Sequence, residues 1–222
     1  MSSVADLDGL IRTAGWALSR HGLLHAYGHC SVRTSATTFR VSPSKPLGLV
    51  TESDACHEVS LDGPLPEGVL GEVRAHREIY RLRPEVNGIV RCMPPKVMSL
   101  GALRRVPRPR HGFGSYFYPS PVLWDDPQLL RDDEQARRFA VAIGQSRAIL
   151  MRGNGAVIVG ESLEAAVVLA WYLEDAARVE LDALSAGLAD EGLLTESDAK
   201  LRATWSGRIL ERMWDFLTAD KK

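Results

Sequence analysis

The sequence predicts an α/β protein, in which helices cover the faces of a mixed β-sheet. Segment 5–20 carries apolar residues at helical spacing, and segment 162–186 is predicted as a long helix with acidic residues near its start. Short apolar runs at 148–151 and 156–160, separated by a Gly-Asn-Gly turn, indicate strands. Because these patterns alternate over 222 residues without an internal repeat, one compact domain is expected.

The other elements follow from local patterns along the chain. An extended stretch at 25–33 is expected to be followed by strands at 37–44, 58–61 and 85–91, and Pro94 and Pro95 are expected to stop the last of them. Residues 101–128, rich in Pro, Gly, Arg and aromatic residues, are predicted as a long irregular connection. Helices are predicted at 67–84, at 131–145, and as one amphipathic helix at 195–217.

Composition excludes several classes of partner. A net charge of −1 and a pI of about 6.6 do not favour binding to nucleic acid or to an anionic membrane surface. No apolar stretch is long enough to span a bilayer, and the first residues do not resemble a signal peptide. Three cysteines without a C-x-x-C pair favour a reducing compartment. We therefore expect a cytoplasmic protein with neither a membrane nor a nucleic-acid partner.

Three stretches together resemble the class II aldolase and adducin family: "YGHCSVR" with "RVSPSK", then "GEVRAHREIYRLRPEVNGIV", then "LMRGNGAVIVG" with "YLEDAA". The resemblance implies a single three-layer domain with a central mixed or antiparallel sheet over residues 1–190. Residues 191–222 would form a C-terminal helical extension that packs on the domain or on a neighbouring subunit. It also implies a fourfold-symmetric homotetramer with active sites between subunits.

The stretches "GHCSVR", "SPS" and "LMRGNG" are more similar to the decarboxylases of this family than to its sugar-phosphate aldolases. Those decarboxylases act on hydroxylated aromatic or pyridine carboxylic acids. The resemblance therefore implies a small carboxylated substrate, aromatic or cyclic.

The family resemblance also implies a divalent metal, commonly zinc, held by three histidines. In this chain the corresponding positions are Arg91, Met93 and Asn154. An arginine keeps its positive charge and would repel a cation, and a methionine thioether is a soft ligand that does not suit zinc. We therefore expect no zinc site and no cofactor.

The family's acid/base carboxylate corresponds to Glu72, which is expected to transfer a proton. Arg91 would bind a carboxylate or enolate oxygen in place of the metal, or would pair with an acid such as Glu72 and only fill the space. Asn154 would donate its amide to a substrate oxygen, or simply suit a left-handed turn. Cys92, the residue between Arg91 and Met93, should point away from the site.

A second group of residues is expected to bind and orient the substrate. Ser42, Ser44 and Lys45 resemble the family's anion-binding loop, with His29 nearby, and Lys45 favours a carboxylate over a sugar phosphate. In the irregular segment, His111 and Tyr116 are predicted to supply an acid/base group and a stacking surface for a flat substrate.

The leading hypothesis is a metal-independent lyase of specialised biosynthesis. Its reaction would be a decarboxylation, retro-aldol cleavage, dehydration or cyclisation through an enolate-like intermediate. Two alternatives stay open at this point. One is a non-catalytic binding protein of the adducin kind, and the other is an oxygenase or lyase whose metal is held by non-standard ligands.

Overall fold

The computed structural model describes residues 4–219, and a mixed β-sheet forms the centre of that part of the chain. The sheet has seven strands in the order β3-β2-β1-β4-β7-β6-β5. All neighbouring strands are antiparallel except β5 and β6, which are parallel. The expected α/β class with a central mixed sheet is confirmed. The strands are β1 (His29–Arg33), β2 (Thr38–Val41), β3 (His57–Ser60), β4 (Gly88–Cys92), β5 (Val122–Trp124), β6 (Ala148–Met151) and β7 (Ala156–Gly160).

Helices cover both faces of the sheet. The side chains of Asp132 and Ser162 accept hydrogen bonds from the backbone N–H groups three residues later, and these caps fix the starts of α4 and α5. Between residues 4 and 219 no helix is long and apolar enough to cross a membrane. The helices are α1 (Val4–Arg20), α2 (Val73–Leu82), α3 (Pro95–Ala102), α4 (Asp133–Ile143), α5 (Leu163–Ser185), α6 (Glu196–Arg202) and α7 (Ile209–Thr218).

The alternation of side chains along each strand divides the core into two layers. On β4, Val90 and Cys92 point to one face and pack in the core that α1 and α5 cover. Ile89 points to the other face, where the core includes residues of α2 and α4 such as Ile79 and Phe139. The fold therefore has three layers, and Arg91, two residues from Ile89, belongs to the α2 face.

The structure corrects two predicted boundaries and confirms a third. The helix expected at 67–84 begins only at Val73, and Gly68 adopts a φ of +83° within the series of turns before it. The strand before Pro94 and Pro95 ends at Cys92 as expected, and Pro95 then starts α3, since proline fits the first turn of a helix without the loss of a hydrogen bond. The single C-terminal helix is two helices, α6 and α7, interrupted where Gly207 and Arg208 both have positive φ.

The C-terminal segment packs on the rest of the same chain. Helix α7 lies against α5 and α1. Its residue Leu217 belongs to the core on the face of the sheet that α1 and α5 cover. The backbone N–H of Leu194 donates to the carbonyl of Pro109 at 2.8 Å, and Tyr116 donates its hydroxyl to the carbonyl of Thr204. The predicted division at residue 190, and a contact with a neighbouring subunit, stay predictions.

The turn between β6 and β7 lies tightly against the end of β4. Gly155 has a φ of +80°, and a Cβ atom at this position would lie 2.1 Å from the carbonyl oxygen of Cys92. Glycine is therefore required twice, once for the backbone conformation and once for the close approach. This contact places Asn154 beside Arg91.

We predict that Gly155→Ala lowers the free energy of unfolding by about 3 kcal/mol or more, because strain and a backbone clash add together. Gly153→Ala is the matched control. Gly153 also has a positive φ, of +64°, but no atom lies within 4 Å of its Cβ position, so a loss of about 1–2 kcal/mol is expected. Urea unfolding of both variants measures the two losses in the free energy of unfolding. Equal losses would contradict the close approach of Gly155 to the carbonyl of Cys92.

Candidate active site

A cavity of about 560 Å³ opens where β4 ends. Glu72, Arg91 and Asn154, three residues that the sequence assigned to one site, lie together on its wall. Met93 adds apolar surface to the same wall. The residues that line the cavity are Ala26, Tyr27, Gly28, Ser44, Lys45, Pro46, Leu70, Glu72, Arg91, Met93, Leu129, Arg131 and Asn154.

Arg91 places a buried positive charge at the inner end of this cavity. In the sheet it lies between His29 of β1 and Val157 of β7, and only 3% of its surface is exposed. Its Nη2 donates to Oδ1 of Asn154 at 2.7 Å. Its Nε and Nη1, and Nδ2 of Asn154, are buried without a hydrogen-bond partner in the described part of the chain. Since burying unpaired donors is costly, this group is suited to bind an anion.

Glu72 stands immediately before α2, with 21% of its side chain exposed. Its Oε2 lies 3.8 Å from Nε2 of His29, which is too long for a hydrogen bond but close enough for a strong electrostatic effect. Contact with His29, and then the positive charges of Arg91 and Arg131, hold the pKa of Glu72 below its usual value despite its burial. The group is therefore a carboxylate at neutral pH and can accept a proton.

Two buried histidines lie behind Glu72. The rings of His29 and His76 are 4.6 Å apart, and Nδ1 of His76 is 2.7 Å from Oγ of Ser31, which in turn contacts the hydroxyl of Tyr80 at 3.0 Å. Burial lowers the pKa of both histidines, and the charge of Arg91 lowers it further. Both rings are therefore neutral at pH 7. His29 contacts Glu72 but does not line the cavity.

The predicted anion-binding loop is only partly at the cavity. Ser44 and Lys45 line it, and Nζ of Lys45 forms an ion pair with Asp54 at 2.8 Å. Ser42, by contrast, is buried and does not line the cavity, because its hydroxyl accepts a hydrogen bond from the backbone N–H of Cys30. Within this chain Ser42 thus supports the strand beside it, and its substrate-binding role stays a prediction.

His111 and Tyr116 do not line the cavity either. Their segment crosses the opposite face of the sheet, where Tyr116 belongs to the core that α5 covers. Nε2 of His111 is 2.7 Å from Oδ2 of Asp175 on α5, and the hydroxyl of Tyr116 donates a hydrogen bond to the carbonyl of Thr204. Within one chain, these contacts fasten the segment to α5 and the C-terminal helices, and the catalytic roles of the two residues stay predictions.

Cys92 points to the face away from the cavity, as the alternation along β4 predicts. It is fully buried, and burial raises the pKa of its thiol to about 12. Such a thiol carries almost no thiolate at neutral pH and is a poor nucleophile.

Several cavity residues had not been identified from the sequence. Leu70, Leu129 and Tyr27 form an apolar rim, and Arg131 adds a second guanidinium. These residues lie outside the regular helices and strands in three separate parts of the chain, and the stretch that contains Tyr27 does not itself show that its side chain reaches the cavity. Only the position of Arg131 beside Asp132, the cap of α4, could be derived from the local sequence.

Comparison with known proteins is consistent with this site. Residues 10–181 match the family described as the class II aldolase and adducin N-terminal domain. The chain is 30% identical to 3,4-dihydroxyphthalate decarboxylase of Arthrobacter keyseri over 78% of this chain and 77% of that protein. It is 28% identical to decarboxylase NovR of Streptomyces niveus over 70% of this chain, but spans only 60% of that protein. L-fuculose-1-phosphate aldolase of Thermus thermophilus superposes with a TM-score of 0.72 at 31% identity, over 85% of this chain and 100% of that one.

The buried histidines make stability dependent on pH. An unfolded chain binds protons on its histidines below about pH 6.5, whereas folded His29 and His76, with lowered pKa values, do not. We therefore predict that the free energy of unfolding falls as the pH drops below about 6.5. Urea unfolding at several pH values measures this dependence. In the variant His29→Gln, the free energy of unfolding should change less steeply with pH. The control is His25→Gln, which replaces an exposed histidine. If it reduced the pH dependence of the free energy of unfolding as much as His29→Gln does, the contribution assigned to buried His29 would be contradicted.

Proposed function

Because the chain belongs to the class II aldolase and adducin family, we propose that it is a metal-independent decarboxylase acting on a small hydroxylated aromatic carboxylic acid. The observation that carries the proposal is the buried guanidinium of Arg91, which has unpartnered donors and shares a cavity with Glu72. An open cavity with converging polar groups favours catalysis over a scaffold of the adducin kind, in which side chains would fill the site.

The lining of the cavity suits a carboxylated ring. Tyr27, Leu70, Met93 and Leu129 provide apolar surface, while the charged groups are concentrated at a few points. The decarboxylase of Arthrobacter keyseri is named for a dihydroxylated aromatic acid, which is the same class of compound. In the proposed complex, a substrate oxygen accepts hydrogen bonds from Arg91 and from Nδ2 of Asn154.

Glu72 is suited to move the proton. Its carboxylate takes the proton of the ring hydroxyl and passes it to the ring carbon that bears the carboxylate. The bond between that carbon and the carboxylate then breaks, carbon dioxide leaves, and the electron pair returns to the ring as an aryl oxide. Arg91 stabilises the negative oxygen in a site of low dielectric, and solvent supplies the one proton that the overall reaction consumes.

The donor set supports catalysis without a metal ion. Arg91 brings a fixed positive charge to the position of a metal-binding histidine, and Oδ1 of Asn154 is occupied by a hydrogen bond from Arg91. Met93 offers only a thioether. Within residues 4–219, no group of three or more His, Cys, Asp or Glu residues is arranged to hold a metal ion. Arg91 thus takes over the stabilisation of negative charge.

We predict that Glu72→Gln lowers kcat by about 10²–10⁴-fold while the protein stays folded, because the proton acceptor is lost and the shape is kept. The assay is the release of carbon dioxide from a panel of hydroxybenzoic and hydroxyphthalic acids. Glu67→Gln changes an exposed carboxylate outside the cavity and is the matched control. A Glu72→Gln variant as active as the control would exclude Glu72 as the proton carrier.

Arg91→Met should lower kcat/KM by about 10²–10³-fold, the loss typical of removing an oxyanion-stabilising donor. Arg91→Lys keeps the charge but not the forked geometry, so we expect an intermediate activity. The same carbon dioxide assay measures both variants, and circular dichroism checks their folding. Equal activity of the folded wild type and Arg91→Met would contradict the proposed role.

Purified active protein should contain far less than one equivalent of zinc or iron per chain by elemental analysis. Dialysis against a chelator should leave kcat unchanged, because no step in the proposed reaction uses a metal. A stoichiometric metal whose removal abolishes activity would overturn the metal-independent mechanism and leave the family assignment intact.

A further inference from the structure

Arg131 is an exposed arginine at the cavity that no part of the proposed reaction uses. It lines the cavity just before α4, and its Cγ would lie 3.8 Å from a Cβ atom at Gly71, the residue that precedes Glu72. Its aliphatic stem therefore packs over the loop that carries the proposed proton carrier. Its positive charge is the smallest of the influences that lower the pKa of Glu72, in keeping with its place on the same cavity wall.

The acidic neighbours of Arg131 are engaged elsewhere. Asp132 accepts a hydrogen bond from the backbone N–H of Gln135 as the cap of α4. Oδ1 of Asp133 forms ion pairs with Arg74 at 2.8 Å and with Arg77 at 2.6 Å. Arg131 itself forms no hydrogen bond or ion pair with any of residues 4–219. An arginine that two adjacent aspartates leave unpaired keeps its donors free for a ligand in the cavity.

The two guanidinium groups differ in depth. Arg91 is buried with 3% of its surface exposed, whereas Arg131 is exposed, so the two groups meet a ligand at different levels of the cavity. The other cation of the cavity wall, Lys45, is paired with Asp54. The described wall thus presents two separate free cations, one deep and one shallow, with apolar surface from Met93, Leu70 and Leu129.

We propose that Arg131 is a specificity-determining residue that binds a second carboxylate of the substrate, so that the preferred substrate is an aromatic dicarboxylate. The inference rests on the proposed function, in which Arg91 binds the first anionic group. A planar guanidinium is well matched to a carboxylate through two parallel hydrogen bonds. Because Arg131 is exposed, its contribution is modest, equivalent to about three- to fivefold in affinity.

The test measures the dissociation constants of benzoate and of the three benzenedicarboxylates by calorimetry with the full chain. In the wild type, at least one dicarboxylate should bind about three- to fivefold more tightly than benzoate. Arg131→Gln should abolish that preference and leave the affinity for benzoate unchanged. Arg138→Gln is the matched control, since it removes the same charge from an exposed position on α4 outside the cavity.

The outcomes separate this inference from the proposed function. A wild type that binds benzoate as tightly as every dicarboxylate, or an Arg131→Gln variant that keeps the preference, overturns the role of Arg131 alone. If neither benzoate nor any dicarboxylate binds, the role of Arg131 is overturned. The proposed function itself fails if a folded Arg91→Met variant keeps wild-type decarboxylase activity, and this inference then fails with it. An equal loss of preference in Arg138→Gln would assign the effect to net charge and overturn the inference.

Discussion

Burial of the Arg91 guanidinium in the middle of the sheet is the constraint on which the site depends. Only 3% of the residue is exposed, and its direct hydrogen-bond partner is the neutral amide of Asn154 rather than a carboxylate. Such a charge persists only where surrounding groups compensate for the loss of water. Glu72 supplies a nearby negative charge, the neutral rings of His29 and His76 add none that is positive, and the cavity leaves room for an anion.

The arrangement separates charge from acid/base chemistry. The fixed cation lies on a central strand, where β1 and β7 hold its backbone on both sides, while the carboxylate lies at the start of α2. Strand and helix start are rigid supports, so the distance between the two groups is set by the packing of α2 on the sheet. The family's overall architecture is thereby kept, and the positions to which the resemblance assigns metal ligands hold Arg91, Met93 and Asn154.

The sequence predicted the positions of side chains correctly where those positions follow from the alternation along a strand or from a local motif. It predicted that Cys92 would point away from the site and that Glu72, Arg91 and Asn154 would lie together. It did not show that His111 and Tyr116 lie on the opposite face of the sheet within one chain, because residue type in an irregular segment does not indicate which face the segment covers. Arg131 was missed because its position depends on the packing of α4 against the loop before α2, which no local pattern encodes.

The contact between Gly155 and the carbonyl of Cys92 has a consequence for substitutions at this site. It joins the turn to the strand through main-chain atoms, so the spatial relation of positions 91 and 154 does not depend on which side chains occupy them. The side chains at positions 91 and 154 can therefore differ while the backbone that carries them keeps its conformation. We therefore expect substitutions at positions 91 and 154 to change the chemistry of the site while the main-chain contact between the turn and the strand is kept.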